Sequence, residues 1–256
     1  MNLQLEEDLL SNLHAAQLFQ VGLMPALRST QPEPLPFPHF ILWKPNQIVG
    51  GDFFWHHTDR KRTFLAVGDV MGHGVFGAML TIIFMQQLRH LVQLSGIWTT
   101  DKLAAEIDHY LSHLFRGAFD HPITIDSFLG VLDTGRRRLS YTNFKGKAYL
   151  VRNKQQIEKL HSYPFSFGEN LGTAAEEHEI ALQPADRLYL LSDGLANQLS
   201  SRDNKPLGSK AIAELLLELQ PTPIHEQKDL LESKLSTLRG GHPQSDDIVV
   251  VGIEIE

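Results

Sequence analysis

At four places in this chain, aspartate stands at one end of an apolar run. They are Asp52 in GGDFFW, Asp69 in FLAVGDVMGHG, Asp193 in LYLLSDG and the pair Asp246-Asp247 in SDDIVVVGI. Such runs predict buried strands, and strands that end at one sheet edge bring their carboxylates close together. Close carboxylates repel and raise one another's pKa unless hard divalent cations such as Mg²⁺ or Mn²⁺ lie between them. The pattern therefore favours a fold that gathers these strand ends around metal ions.

Each segment alone is also typical of a turn, because Asp bonds to its own backbone and Gly accepts a positive φ. Taken together and in this order, the four segments resemble those of the stage II sporulation protein E branch of the bacterial metal-dependent (type 2C) protein phosphatases. That branch has a Gly-Gly-Asp strand, a Gly-Asp-Val-x-Gly-(His/Lys)-Gly helix start, a strand ending in Asp-Gly, and Asp-Asp before a last apolar strand. The resemblance covers about residues 37–256.

Composition excludes several classes of protein. The 256 residues, 42% of them hydrophobic, suit one large domain or a domain with a short extension. Since there is no cysteine, a disulfide framework, a thiolate metal site and a cysteine nucleophile are all excluded. A formal charge of −7 argues against a nucleic-acid partner.

The apolar stretch Val75–Met85 is too short to span a bilayer, so we interpret it as a buried helix and expect no membrane insertion. The first ten residues are acidic and lack the basic flank of a signal peptide, which predicts a cytoplasmic protein. The basic run Arg136–Arg138 follows Asp-Thr-Gly and predicts a solvated hairpin turn between two strands.

Apolar spacing predicts an amphipathic helix from Leu3 to about Leu27, whose apolar stripe must be buried against its own domain or a partner. Four prolines in the eight residues 31–38 then predict a stiff linker. We therefore divide the chain into a regulatory or dimerisation segment, 1–38, and a phosphatase domain, 39–256. The resemblance implies that such a helix connects sensory modules or pairs with a second subunit, so a homodimer through it is expected.

The order of predicted elements excludes a regular doubly wound parallel sheet. Helices are predicted near 74–94, 100–116, 209–219 and 224–239. Strands are predicted near 39–44, 47–55, 63–69, 125–133, 138–143, 147–152, 178–183, 187–193 and 247–255. This order fits the α+β fold that the resemblance implies, a four-layer α-β-β-α sandwich of two antiparallel sheets flanked by helices.

The resemblance also implies the ligands of two Mn²⁺ or Mg²⁺ ions. Asp69 bridges the ions and the main-chain carbonyl of Val70 is a further ligand. Asp52 holds one ion, Asp193 and Asp246 hold the other, and Asp247 supports them. The two ions activate a water for in-line attack on phosphorus, and no covalent intermediate is needed.

Three further residues have open interpretations. His73, at a helix start beside the metals, is either a general acid for the departing serine alkoxide or a structural or substrate-orienting residue. Asp126 holds a weakly bound third ion or is an ordinary strand-edge residue. Lys145 stands where many relatives have Ala-Gly-His instead of Phe-Lys-Gly, and it can supply a phosphate-binding charge. The spacings His56-His57 and His109/His113 resemble metal ligands but favour surface or packing roles.

We therefore predict a phosphoserine/phosphothreonine protein phosphatase. By resemblance, its substrate is a small phosphorylated regulator of the anti-sigma-factor-antagonist type, and its selectivity lies in the turn 144–146 and the segment 162–172. One alternative is a catalytically inactive phosphatase-fold scaffold, disfavoured because Asp occupies all four core ligand positions. The other is a structural calcium-binding domain, disfavoured because the carboxylates are dispersed along the chain.

Overall fold

The computed structural model describes residues 3–28, 32–120, 122–169 and 175–256. The strands are β1 (His39–Lys44), β2 (Phe53–Asp59), β3 (Arg62–Val70), β4 (Ile125–Asp133), β5 (Arg138–Phe144), β6 (Lys147–Arg152), β7 (Gln156–Lys159), β8 (His178–Ala181), β9 (Arg187–Leu191) and β10 (Ile248–Glu254). The helices are α1 (Leu3–Gly22), α2 (Gly74–Arg89), α3 (Thr100–Leu114), α4 (Gly194–Asn197), α5 (Gly208–Glu218) and α6 (Gln227–Arg239). Short 3₁₀ turns lie at Pro25–Leu27 and Ile224–Glu226.

The strands form two five-stranded antiparallel sheets. Their orders are β1-β10-β9-β6-β7 and β2-β3-β4-β5-β8. One apolar cluster lies between the sheets and includes Phe54 and Val251. A second lies between the β2-β3-β4 face and helices α2 and α3, and a third lies between the other sheet and helices α5 and α6. The α+β four-layer sandwich predicted from the sequence is confirmed.

The prediction of a strand over 47–55 is wrong in its first half. The chain from Pro45 to Asp52 is a loop, and β2 begins only at Phe53. The backbone amides of Asn46 and Gly51 donate to the Asp247 carboxylate at 2.6 and 2.7 Å, so they are not available for strand pairing. The short elements β7 and α4 were not predicted.

Helix α2 is shorter than the predicted 74–94 because it ends at Arg89 and continues as a π-helical turn, His90–Leu94. By length and composition alone, the segment Gly74–Leu94 could cross a membrane. Half of its apolar window is buried inside the domain, and Phe84, Met85 and Leu88 belong to the core between α2 and the sheet. The segment Gly74–Leu94 therefore packs as a core helix, as the sequence predicted.

Arg136 and Arg137 lie in the turn between β4 and β5, as predicted, and Arg138 is the first residue of β5. Asp133 opens this turn, and its Oδ1 accepts a hydrogen bond of 2.9 Å from the Arg136 backbone amide.

The N-terminal segment is attached to the domain at its C-terminal end. Gln20 and Met24 are fully buried, and Met24 belongs to the core beside α2 and α3. Leu35 and Phe37 of the proline-rich stretch reach the core between the sheets. The first residue of that stretch, Gln31, lies outside the described residues.

Most of α1 does not bury an apolar stripe, which corrects the expectation from its spacing. Its apolar residues are spread around the helix. Five of its large apolar side chains remain exposed: Leu5, Leu9, Leu10, Leu18 and Phe19.

Candidate metal centre

The predicted carboxylates meet where the ends of the two sheets come together. Asp69, next to the last residue of β3, is directly opposite Asp126 of β4 in the strand register. Asp52 immediately precedes β2, and its Oδ2 accepts a hydrogen bond of 2.5 Å from the Ser192 hydroxyl. Because Ser192 follows β9 of the other sheet, this bond joins the two sheets at the site.

A single amide links the carboxylates of Asp193 and Asp246. Asp193 precedes α4, and the side-chain amide nitrogen of Asn197, one turn later, lies 3.0 Å from its Oδ2. The same nitrogen lies 3.0 Å from Asp246 Oδ2. Asn197 therefore holds together the two residues predicted to share one ion.

Asp247 has a different role from its neighbour. Its side chain is buried, and both carboxylate oxygens accept backbone hydrogen bonds from the 46–51 loop. Gly50 leaves room for this carboxylate, because a Cβ there would lie 2.4 Å from Oδ2. Asp247 thus fixes the loop that carries Asp52, and a supporting role in metal binding stays a prediction.

Electrostatic repulsion in the site is strong. Burial, followed by the charges of Asp193 and Asp246, raises the pKa of Asp69 to about 8. Burial and the charge of Asp69 raise the pKa of Asp52 well above its ordinary value, although the Ser192 hydrogen bond lowers it. Without a bound cation, Asp69 and Asp52 therefore keep a proton to a higher pH than an ordinary aspartate does.

The donor chemistry fits hard divalent cations. Every predicted ligand atom is a carboxylate or main-chain oxygen, the type that Mg²⁺ and Mn²⁺ prefer. Gly51 keeps a space open beside these atoms: a Cβ there would lie 2.6 Å from the Val70 carbonyl oxygen and 3.2 Å from Asp69 Oδ1. Within the described ranges, no three histidine or carboxylate side chains already form a ligand group. Hydrogen bonds from Ser192, Asn197 and the 46–51 loop occupy several of the carboxylate oxygens instead.

His73 lies at the rim of the site. It is the exposed N-cap residue of α2, in extended backbone conformation, and its Nδ1 is 3.5 Å from the side-chain amide nitrogen of Gln47. Its imidazole is therefore open to solvent and lies next to the 46–51 loop that leads to Asp52.

Lys145 and Asp126 lie together beside Asp69, which pairs with Asp126 in the strand register. The Ser166 hydroxyl donates to Asp126 Oδ1 at 2.5 Å and accepts from Lys145 Nζ at 2.8 Å. Phe144, expected as part of the selective turn, is fully buried in the core and cannot contact a substrate. Of the predicted selective segment, residues 170–172 lie outside the described residues.

The two histidine pairs are placed away from the carboxylates. His56 is buried, and its Nε2 is 2.9 Å from the Glu33 carbonyl oxygen. His109 and His113 lie on the exposed side of α3, with ring centroids 4.1 Å apart.

Comparison with known proteins identifies the family. The model of the stage II sporulation protein E (SpoIIE) family matches residues 59–256. This chain belongs to the SpoIIE family. The match contains Asp69, Asp193, Asp246 and Asp247 in one continuous stretch.

Individual relatives agree with this assignment. Phosphoserine phosphatase RsbP of Bacillus subtilis is 23% identical over 218 residues, which are 82% of this chain and 50% of RsbP. The chain therefore spans half the length of this curated relative. The SiaA-PP2C domain of Pseudomonas aeruginosa is 27% identical, with a TM-score of 0.87 and 98% of each chain covered. RsbX in complex with magnesium is 13% identical over 85% of this chain and 94% of its own, with a TM-score of 0.60, which shows a shared fold. The family match and these relatives give the chain a PP2C-type phosphatase fold, and that family is metal-dependent.

Several residues of the SpoIIE-family site were not predicted. Asn197 had a weak signal, since it stands one helical turn after Asp193. Ser192 and Ser166 contact carboxylates that are 140 and 40 positions away in the chain. Gln20 donates from its side chain to the Gly50 carbonyl at 2.6 Å, and no local pattern marks it.

Proposed function

We propose that this SpoIIE-family protein hydrolyses phosphoserine and phosphothreonine in proteins with two Mn²⁺ or Mg²⁺ ions. The observation that carries the proposal is the convergence of Asp52, Asp69, Asp193 and Asp246 from both sheets. Burial and the neighbouring carboxylates raise the pKa of Asp52 and Asp69 in this cluster. We assign these four side chains and the Val70 carbonyl as ligands, with Asp69 between the two ions.

The bound ions would neutralise the phosphoryl oxygens and supply an activated water for in-line attack. The protein's own residues prepare this site. Ser192 orients Asp52 through its hydroxyl, Asn197 spaces Asp193 from Asp246, and Asp247 holds the loop before β2. Such supporting hydrogen bonds fix the direction of ligand oxygens before the ions bind.

His73 is proposed as a substrate-side residue. Its exposed position at the start of α2 suits an imidazole that orients the seryl oxygen or protonates it as it leaves. Lys145 is proposed to supply a positive charge to the phosphorylated substrate, because its ammonium lies beside Asp126 at the edge of the carboxylate cluster.

The proposed substrate is a small phosphorylated protein of the anti-sigma-factor-antagonist type. The similarity to RsbP, a phosphoserine phosphatase, supports a phosphoserine protein as substrate. We also propose a cytoplasmic location and a homodimer through α1, which the exposed Leu9, Leu18 and Phe19 of that helix support.

The test is phosphate release from serine-phosphorylated casein with Mn²⁺, Mg²⁺, Ca²⁺ or a chelator. The proposal expects turnover with Mn²⁺ or Mg²⁺, little with Ca²⁺, and none with the chelator. Asp69→Asn should abolish turnover, whereas Asp203→Asn, in an exposed turn, should retain it. A wild-type protein that binds phosphocasein but releases no phosphate with any metal would instead indicate the inactive scaffold.

A further inference from the structure

The segment 163–169 is fixed beside the metal cluster by backbone hydrogen bonds. Phe167 and Ile125, at the start of β4, exchange two bonds of 3.0 and 3.2 Å. Tyr163 donates to the Asn143 carbonyl at 2.8 Å and accepts from the Lys145 amide at 3.1 Å. Ser166 therefore lies on a backbone that is attached to both β4 and the β5–β6 turn.

The Ser166 side chain is almost completely buried, with 1% of its surface exposed, although both of its side-chain partners are charged. Its hydroxyl donates to Asp126 and accepts from the Lys145 ammonium. Its backbone amide donates to Glu169 Oε2 at 2.8 Å, and the same oxygen is 3.8 Å from Lys145 Nζ. Ser166 is thus the residue that both Lys145 and Asp126 contact.

This arrangement separates two opposite charges. The ion-pair partner of Lys145 in the described residues is Glu169, and Asp126 is reached only through the Ser166 hydroxyl. A hydroxyl can donate and accept at the same time, so it satisfies both groups without letting them pair directly. An ammonium has three donors, which leaves capacity for an oxygen of the protein substrate outside its phosphoryl group, in addition to Ser166 and Glu169.

The backbone of Lys145 supports a held side chain. Lys145 has φ +53°, a left-handed conformation that few residues other than glycine, asparagine and aspartate adopt. The buried Phe144 ring before it and the Asn143 amide, which donates to the Gly146 carbonyl at 3.1 Å, hold the turn in this conformation. The Lys145 side chain is therefore held at both ends, at its backbone and at its ammonium group.

We propose that Ser166 is a positioning residue that keeps the Lys145 ammonium apart from Asp126 and available to the phosphorylated protein substrate. The inference rests on the proposed phosphatase function. Without the hydroxyl, Lys145 and Asp126 would pair directly, and the ammonium would be withdrawn from the substrate. Ser166 itself does not touch the substrate.

The test compares phosphocasein with 4-nitrophenyl phosphate at saturating Mn²⁺. Ser166→Ala should raise KM for phosphocasein about tenfold with little change in kcat, and should change kcat/KM for 4-nitrophenyl phosphate less than about twofold. Ser166→Thr, which keeps the hydroxyl, should restore most of the loss. Ser140→Ala, on the exposed part of β5, is the matched control and should behave as wild type.

A double-mutant cycle shows whether Ser166 acts through Lys145. In a Lys145→Met background, Ser166→Ala should cause no further rise in KM. An additive loss would overturn the inference, and so would a loss equal for both substrates. If Ser166→Ala does not fold, Ser166→Cys keeps the volume of the site with a weaker donor and should give the same KM change.

The concentration of Mn²⁺ at half-maximal activity gives an independent readout. It should be unchanged in Ser166→Ala, and a large rise would place Ser166 in metal binding through Asp126 and contradict the inference. If the wild type is active and Ser166→Ala has the kinetic constants of wild type, this inference alone is overturned. A wild type that is inactive on both substrates overturns the proposed function and this inference with it.

Discussion

At the scale of single residues, the site contains two kinds of side chain. The sequence identifies the carboxylates, but it does not identify the residues that form hydrogen bonds with them. The aspartates could be predicted because each one stands at one end of an apolar run and the four segments form a known series. Ser192, Gln20 and Ser166 could not, because their contacts depend on how the folded sheets and loops meet. The carboxylates themselves carry a stability cost, since burial and mutual repulsion raise the pKa of Asp69 to about 8.

The raised pKa of Asp69 predicts a pH dependence in the metal-free protein. In the unfolded chain an aspartate titrates near about pH 4. Between that pH and about 8, the folded state binds more protons, so the free energy of unfolding falls as the pH rises. Chemical denaturation in a chelator should therefore show lower stability at pH 8 than at pH 5.

Asp69→Asn should reduce this slope and stabilise the metal-free protein at pH 8 by on the order of 1 kcal/mol or more, while abolishing phosphatase activity. An unchanged slope in Asp69→Asn would show that repulsion at this residue is not what limits the stability of the metal-free protein.

Ser192→Ala tests the support of Asp52. Removing the hydroxyl frees Asp52 Oδ2 and also the Val249 backbone amide, which donates to Ser192 Oγ at 3.1 Å. Loss of such a supporting contact weakens metal binding by roughly 10–100-fold in other sites. Calorimetric titration with Mn²⁺ should show this loss, and an affinity equal to wild type would remove Ser192 from the support of the centre.

At the scale of elements, most helices and strands follow from apolar spacing, and the exceptions lie at the site. Residues 125–133 and 147–152 form strands with the predicted bounds, since both have clear apolar runs bordered by turns. The 46–51 loop could not be predicted, because its backbone bonds to Asp247, about two hundred positions later in the chain. Helix α1 was predicted as a separate segment, yet its end is buried against the loop that leads to Asp52.

The contact between α1 and this loop predicts that α1 affects metal binding. Gln20→Ala leaves the buried Gly50 carbonyl without its partner, at a cost of about 1–3 kcal/mol in stability. The half-saturating Mn²⁺ concentration for activity should rise as the loop loosens. Gln17→Ala, earlier on the same helix, is the control, and equal behaviour of both variants would contradict a specific role for Gln20.

At the scale of the whole molecule, the two sheets and the flanking helices enclose three apolar clusters. The aspartates of the candidate metal centre lie at the edge where the two sheets meet. The order of strands and helices in the sequence excluded a regular doubly wound sheet, and the family resemblance then implied this sandwich. The surface of α1 was not predictable, since spacing suggested a buried stripe whereas the helix leaves several large apolar residues exposed.

The exposed apolar residues of α1 predict self-association. Leu18 and Phe19 have 71% and 75% of their surface exposed, and a second copy of the chain would bury them. Light scattering should give the mass of a dimer for wild type and of a monomer for Leu18→Ser/Phe19→Ser. A wild-type monomer at concentrations near 100 µM, an order-of-magnitude limit for a weak dimer, would contradict the proposed contact.

The central claim is that carboxylates from both sheets form one centre for two divalent ions. Calorimetric titration of the wild-type protein with Mn²⁺ tests it most directly. The account predicts two ions per chain, a rise in melting temperature as they bind, and loss of at least one ion in Asp69→Asn with the fold retained. Less than one ion per chain in wild type, or two ions bound with equal affinity in Asp69→Asn, would contradict it.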